Sequence, residues 1–139
     1  MKKLAEITAR YVGKPFREYT CMGLLYSLYT NLGIDVPDHF ENLTLDNYMD
    51  QFKKDPYGTQ ITLMRMVRSL GQRSKAPLPH LGDLLIVAQA TTRKGVIRPG
   101  FLPAMYVGRG QAIASFLLKG VTVFQLDPLN RPIVARRLL

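Results

Sequence analysis

Cys21 is the single cysteine in a chain of 139 residues, and it stands directly after Thr20 at the head of Cys21-Met22-Gly23-Leu24-Leu25-Tyr26-Ser27-Leu28-Tyr29. Threonine is a good helix N-cap, and Leu24, Leu25, Leu28 and Leu32 recur at helical spacing. The pattern predicts a helix over 21–31, stopped by Gly33. In its first turn the amide N–H groups are unpaired, and the helix dipole favours negative charge. A thiol placed there ionises more readily, and the thiolate is the nucleophilic form. The competing reading is that Cys21 is a small buried residue with no chemistry.

A cysteine nucleophile needs a base, and the chain has only two histidines, His39 and His80. His39 follows the far end of the predicted helix, roughly 15 Å from Cys21 at about 1.5 Å per residue. A direct thiol–imidazole hydrogen bond spans about 2.6–3.2 Å, so the short connection would have to fold back sharply. His80 precedes a strand, again away from the predicted helix start. With one cysteine, two histidines and no CxxC or HExxH, a structural zinc site is not supported, and no residue pattern calls for a cofactor. No intramolecular disulfide can form, so the redox compartment is not revealed.

Positioning falls to the elements around Cys21. Leu4, Ile7 and Tyr11 predict a helix over 3–12, ended by Gly13-Lys14-Pro15. Thr44 predicts the cap of a helix over about 45–54, and Asp55-Pro56-Tyr57-Gly58 reads as a turn. Ile61, Met64, Val67 and Leu70 predict a helix over about 60–70, with the methionines as core filling. Residues 72–79 read as a basic loop. From residue 80 the pattern changes to strands: 83–88, 104–107, 111–116, 121–126 and 133–138, with Gly108-Arg109-Gly110 as a hairpin turn. Helices followed by an antiparallel sheet of about five strands make an α+β class, and the length fits one domain over 1–139.

The hydrophobic content of 47% supports a core, and the net charge is +9. Residues 35–55 carry six acids against Lys53 and Lys54, whereas residues 56–139 carry twelve Lys and Arg against Asp83 and Asp127. Such a surface suits a polyanion, such as nucleic acid, anionic lipid or an anionic cell-wall polymer. The plainer reading is that the charge keeps the protein soluble; no nucleic-acid motif accompanies it. Met1-Lys2-Lys3 begins like a signal peptide, but Glu6, Thr8 and Arg10 interrupt the apolar run, and no stretch approaches a membrane span. The expectation is a cytoplasmic protein, or an exported or phage-associated one if a leader has been trimmed.

Taken in order, the motifs resemble the NlpC-type cell-wall cysteine peptidases, a compact branch of the papain-like fold. Val12-Gly13-Lys14-Pro15-Phe16 is similar to that family's "G-x-P-aromatic" approach to the active-site loop. Cys21-Met22-Gly23-Leu24 resembles its "C-S-G-[LF]" nucleophile helix, and Tyr29 through Gly33-Ile34 to Pro37 its "Y…G-I-x-L-P" exit. Gly82-Asp83-Leu84 resembles "P-G-D-L-V", and Met105-Tyr106-Val107-Gly108-Arg109-Gly110-Gln111 resembles the "H-V-G-I-Y-L-G-N-G" hairpin. Val121-Thr122-Val123 and Ala135-Arg136-Arg137 resemble the last strands. The resemblance spans nearly the whole chain and implies a papain-like fold. It also implies hydrolysis of peptidoglycan peptide bonds by cysteine, with one histidine as base and a second polar residue to orient it.

Carried over residue by residue, the resemblance puts the nucleophile at Cys21, the base at Leu102 and the orienting group at Ala114, beside Ser115. The acid before the cysteine becomes Thr20, the serine after it Met22, and the loop tyrosine Phe16. Tyr19, Gln89, Thr91, Thr92 and Ser115 are the remaining polar groups near the expected cleft; Gln89 could donate to an oxyanion, though ordinary loop or edge roles compete. Asp83 reads as a turn residue. Loss of both imidazole positions removes the family's proton transfer. The leading reading is therefore a catalytically impaired relative that binds a cell-wall peptide or a protein partner, its apolar cleft suiting an acyl chain or apolar side chain. The first alternative is an active cysteine peptidase or amidase with a non-standard base. The second is a basic polyanion-binding or assembly protein.

Overall fold

The computed structural model describes residues 2–74, 79–93 and 96–138. Four helices and eight strands follow in chain order: α1 (Lys2–Tyr11), α2 (Cys21–Asn31), β1 (His39–Phe40), β2 (Leu43–Thr44), α3 (Tyr48–Lys54), α4 (Pro56–Ser69), β3 (Gln72–Arg73), β4 (Leu84–Arg93), β5 (Val96–Gly108), β6 (Gln111–Phe116), β7 (Gly120–Gln125) and β8 (Asn130–Arg137). β1 and β2 form a small hairpin, and the other six form one antiparallel sheet in the order β3-β8-β4-β5-β6-β7. The α+β class read from the sequence is present.

The expectation of about five sheet strands is corrected to six. The additional strand, β3, lies in a segment read as a loop. Its two residues pair with Arg137 and Arg136, which gives their backbone groups partners. A two-residue strand is too short to show a period, and the same holds for the β1–β2 hairpin. The rest of that predicted loop, residues 75–78, lies outside the described residues.

Other boundaries move for identifiable reasons. α4 begins at Pro56, not near residue 60: the Asp55 carboxylate accepts from the Gly58 amide at 3.0 Å, and proline is well suited to the first helical position. Asp-Pro therefore starts a helix where it read as a turn. α3 begins at Tyr48, because Thr44 closes β2 and trades side-chain bonds with Asn47. The Thr44 amide donates to Asn47 Oδ1 at 2.8 Å, and the Asn47 amide donates to Thr44 Oγ1 at 3.0 Å. β5 is much longer than the predicted 104–107. Pro99 and Pro103 obscured it, yet its 96–103 stretch pairs with β4 while its register with β6 runs only through 105–108. Proline is tolerated on a strand edge that needs no donor.

The central strands bury both faces. Leu84 and Ile86 of β4 join Met105, Ile113 and Val121 in a core with Leu4, Ile7 and Tyr11 of α1 and Leu24, Leu25 and Leu28 of α2. The alternate positions Leu85, Val87, Leu102, Ala104, Ala112 and Ala114 form a second core with Leu43, Tyr48, Leu63 and Met66. This period-2 split is the pleat of the sheet expressed as two cores. Cys21 and Met22 belong to the second core, whereas Leu24, Leu25, Leu28 and Tyr29 of the same helix serve the first.

Candidate functional site

α2 starts at Cys21 because Thr20 is extended and its Oγ1 accepts from the Gly23 amide at 3.1 Å. The sheet then fixes that helix start. Ser115 Oγ donates to the Tyr19 carbonyl, and the Cys21 thiol donates to the Ser115 carbonyl at 3.4 Å. One residue of β6 thus holds both sides of Thr20. Ser115 is buried, so these bonds form away from water and are the stronger for it.

Cys21 is 7% exposed and sits with Phe16, Met22, Leu102 and Ala114 in the second core. The structure therefore brings the cysteine and the expected base and orienting positions, Leu102 and Ala114, into one cluster, but that cluster is filled. Leu102 is 7% exposed and Ala114 fully buried. Leu43, Tyr48, Leu63 and Met66, from β2, α3 and α4, complete the packing. Phe16 stacks obliquely against Phe52, and Phe52 against Tyr48. The apolar cleft expected from the sequence is instead interior, closed by the 40–66 segment.

Burial decides the electrostatics. A position at a helix N-terminus by itself favours the thiolate. Instead, desolvation raises the Cys21 pKa from 9.0 to about 11, against smaller lowering by the Tyr48 hydroxyl and the Cys21 amide. A dipole at a helix end contributes about 0.3–1 kcal/mol at an exposed site, whereas removing a charge from water costs several. Tyr48 is itself pushed well above 10.0 by burial and by the neighbouring thiol. At neutral pH the pair is a neutral thiol beside a neutral phenol, so neither can take the other's proton.

Neither histidine contributes to the perturbation of Cys21. His39 is exposed on β1, where its Nδ1 pairs with Asp38 at 2.8 Å and holds that carboxylate below its usual range. The His80 ring meets the Arg137 guanidinium, and its amide donates to Asp83 Oδ2 at 2.9 Å. That bond makes Asp83 the turn residue at the foot of β4. Gln89 is also not directed to the cysteine: its amide donates to Asn130 Oδ1 on β8 at 2.7 Å. Tyr19 packs edge-on to Tyr11 with ring centroids 5.0 Å apart. The side chains of Thr91 and Thr92 lie outside the described residues.

Sequence reasoning missed Tyr48 as the group facing Cys21. Its helical spacing marked it as core, which it is; nothing in one sequence tells which core tyrosine points a hydroxyl at a thiol. Among the described residues no cluster of three or more His, Cys, Asp or Glu could hold a metal, and no helix is long and apolar enough to cross a membrane. No protein-family model matches the chain, and no curated protein matches it either.

Proposed function

We propose that this chain is a catalytically impaired relative of the NlpC-type cysteine peptidases, keeping a papain-like scaffold as a binding module for a cell-wall peptide or a protein partner. One observation carries the reading. Cys21 is an un-ionised thiol sealed in the core, and its polar neighbours are a backbone carbonyl and a phenol rather than a base. Nucleophilic catalysis by cysteine requires a thiolate, or a base within hydrogen-bond reach, and access for the substrate. The ordered motifs from Gly13 to Arg137 support the scaffold. Leu102 and Ala114, in the same buried cluster as Cys21, support an ancestral site that has become core. Binding then belongs to the outer surface.

The test is incubation of wild type and Cys21→Ala with purified, insoluble peptidoglycan. The expected result is equal co-sedimentation of the two proteins for a cell-wall ligand, or equal absence of it for a protein partner, with no new amino groups released by either. Amino groups released by wild type and not by Cys21→Ala would establish the peptidase reading instead.

A further inference from the structure

At the β8 edge of the sheet lies a groove of about 400 Å³, and Arg68, Arg73, Ser74, Pro132 and Arg136 are among its walls. Among the described residues no acidic side chain lines it. Its arginines lie outside the Cys21 core, which it touches only through Ala135, so the inference drawn from it stands apart from the proposed function.

The arginines converge for reasons of fold. Arg68 is in the last turn of α4, and the chain passes from there through Gly71 directly into β3. In the ladder, Arg73 of β3 stands directly opposite Arg136 of β8. Like charges directly opposite on antiparallel strands destabilise the pair. Yet among the described residues none of Arg68, Arg73 and Arg136 is in an ion pair. Arg136 is held in place from behind: its Nε donates to the Leu70 carbonyl at 2.7 Å and its Nη2 to the Gly71 carbonyl at 2.8 Å. It is therefore oriented before any ligand arrives, while Arg68 and Arg73 are exposed and free to close on one. Asp83 cannot neutralise the cluster, since it faces Arg137 at 3.7 Å and the His80 amide.

We infer that this groove binds a phosphate group, as a phosphate ester or within a phosphodiester chain. Guanidinium forks match the oxygens of phosphate two at a time, and an anion seated between Arg73 and Arg136 turns their repulsion into a shared attraction. The open groove is larger than one phosphate, so the group arrives on a bigger ligand.

The probes are a fluorescein-labelled single-stranded oligonucleotide, followed by anisotropy across a salt series, and pyrophosphate as competitor. Two variants of equal charge change are compared. R68Q/R73Q removes the two exposed groove arginines, and R109Q/K119Q removes two charges from the turns after β5 and β6. If both arginines contact phosphate, R68Q/R73Q flattens the plot of log K against log salt by about 1.4, from roughly 0.7 per contact on a single strand. R109Q/K119Q should leave the slope close to wild type. Displacement by pyrophosphate identifies an isolated phosphate as sufficient; binding of the oligonucleotide without displacement identifies a phosphodiester chain, and either supports the site. Equal loss in the two variants, or no binding of either probe by wild type, overturns it.

Discussion

Cys21 and Tyr48 show how the same residue types give opposite chemistry in different surroundings. At an exposed helix start, beside a base, this thiol would be a nucleophile. Here the desolvation that comes with Phe16, Met22, Leu102 and Ala114 outweighs the helix dipole, and the pKa goes up to about 11. Tyr48→Ala would remove the largest side chain that faces the thiol. It should cost about 3–5 kcal/mol, read by urea unfolding, and speed alkylation of Cys21 by opening the core. Tyr48→Phe keeps the packing and removes the hydroxyl that lowers the thiol pKa. It should lose only about 1 kcal/mol and make alkylation slower, not faster. Opposite effects of these two variants on the thiol would separate access from ionisation.

At the scale of elements, the loop ahead of α2 is held from two sides. Ser115 of β6 binds Tyr19 and Cys21, and the turn before β7 packs on Lys14, whose carbonyl accepts from the Val121 amide at 2.8 Å. Gly120 allows that approach: it has φ +74°, and a Cβ there would collide with the Lys14 carbonyl oxygen. Gly120→Ala is expected to destabilise by more than about 1 kcal/mol, measured by thermal unfolding, because both the backbone conformation and the contact oppose it. Much of this level was legible in the sequence. The α2 cap at Thr20, the 111–116 strand and the Arg109-Gly110 turn follow from local chemistry, and the turn's positive φ at both residues is what the glycine signalled. What was not legible has a common cause. β1, β2 and β3 owe their existence to pairing partners distant in sequence or to neighbours too short to show a period. The closure of the Cys21 site by α3 and α4 was hidden for a similar reason. Apolar spacing shows that Tyr48, Leu63 and Met66 face a core, but not which face of the sheet that core covers.

At the scale of the whole molecule, two features stand apart: a sheet buried on both faces, and a surplus of positive charge with few acids after residue 55. The first gives the protein an alkaline limit. Burial raises the Cys21 pKa from the ordinary 9.0 to about 11, and Tyr29 and Tyr48 are likewise raised by burial. Between those pH values the unfolded chain binds fewer protons, so stability declines as pH rises. The Cys21 contribution is present in full below about pH 9 and amounts to ~3 kcal/mol, at ~1.4 kcal/mol per pH unit. Urea unfolding should therefore show stability falling above pH 9, with a shallower fall in Cys21→Ala. The second feature is focused where Arg73 opposes Arg136, in the groove proposed above to bind phosphate. In the proposed function Cys21 is a core residue and does not act as a nucleophile. The most direct measurement is the alkylation rate of folded protein with iodoacetamide from pH 5 to 11, set against the same protein in urea. The folded rate should lie about a hundredfold below the unfolded one at neutral pH, from the lower thiolate fraction alone, and rise only toward pH 11. Rapid alkylation of the folded protein at pH 6–7, with an inflection below the ordinary thiol range, would contradict it.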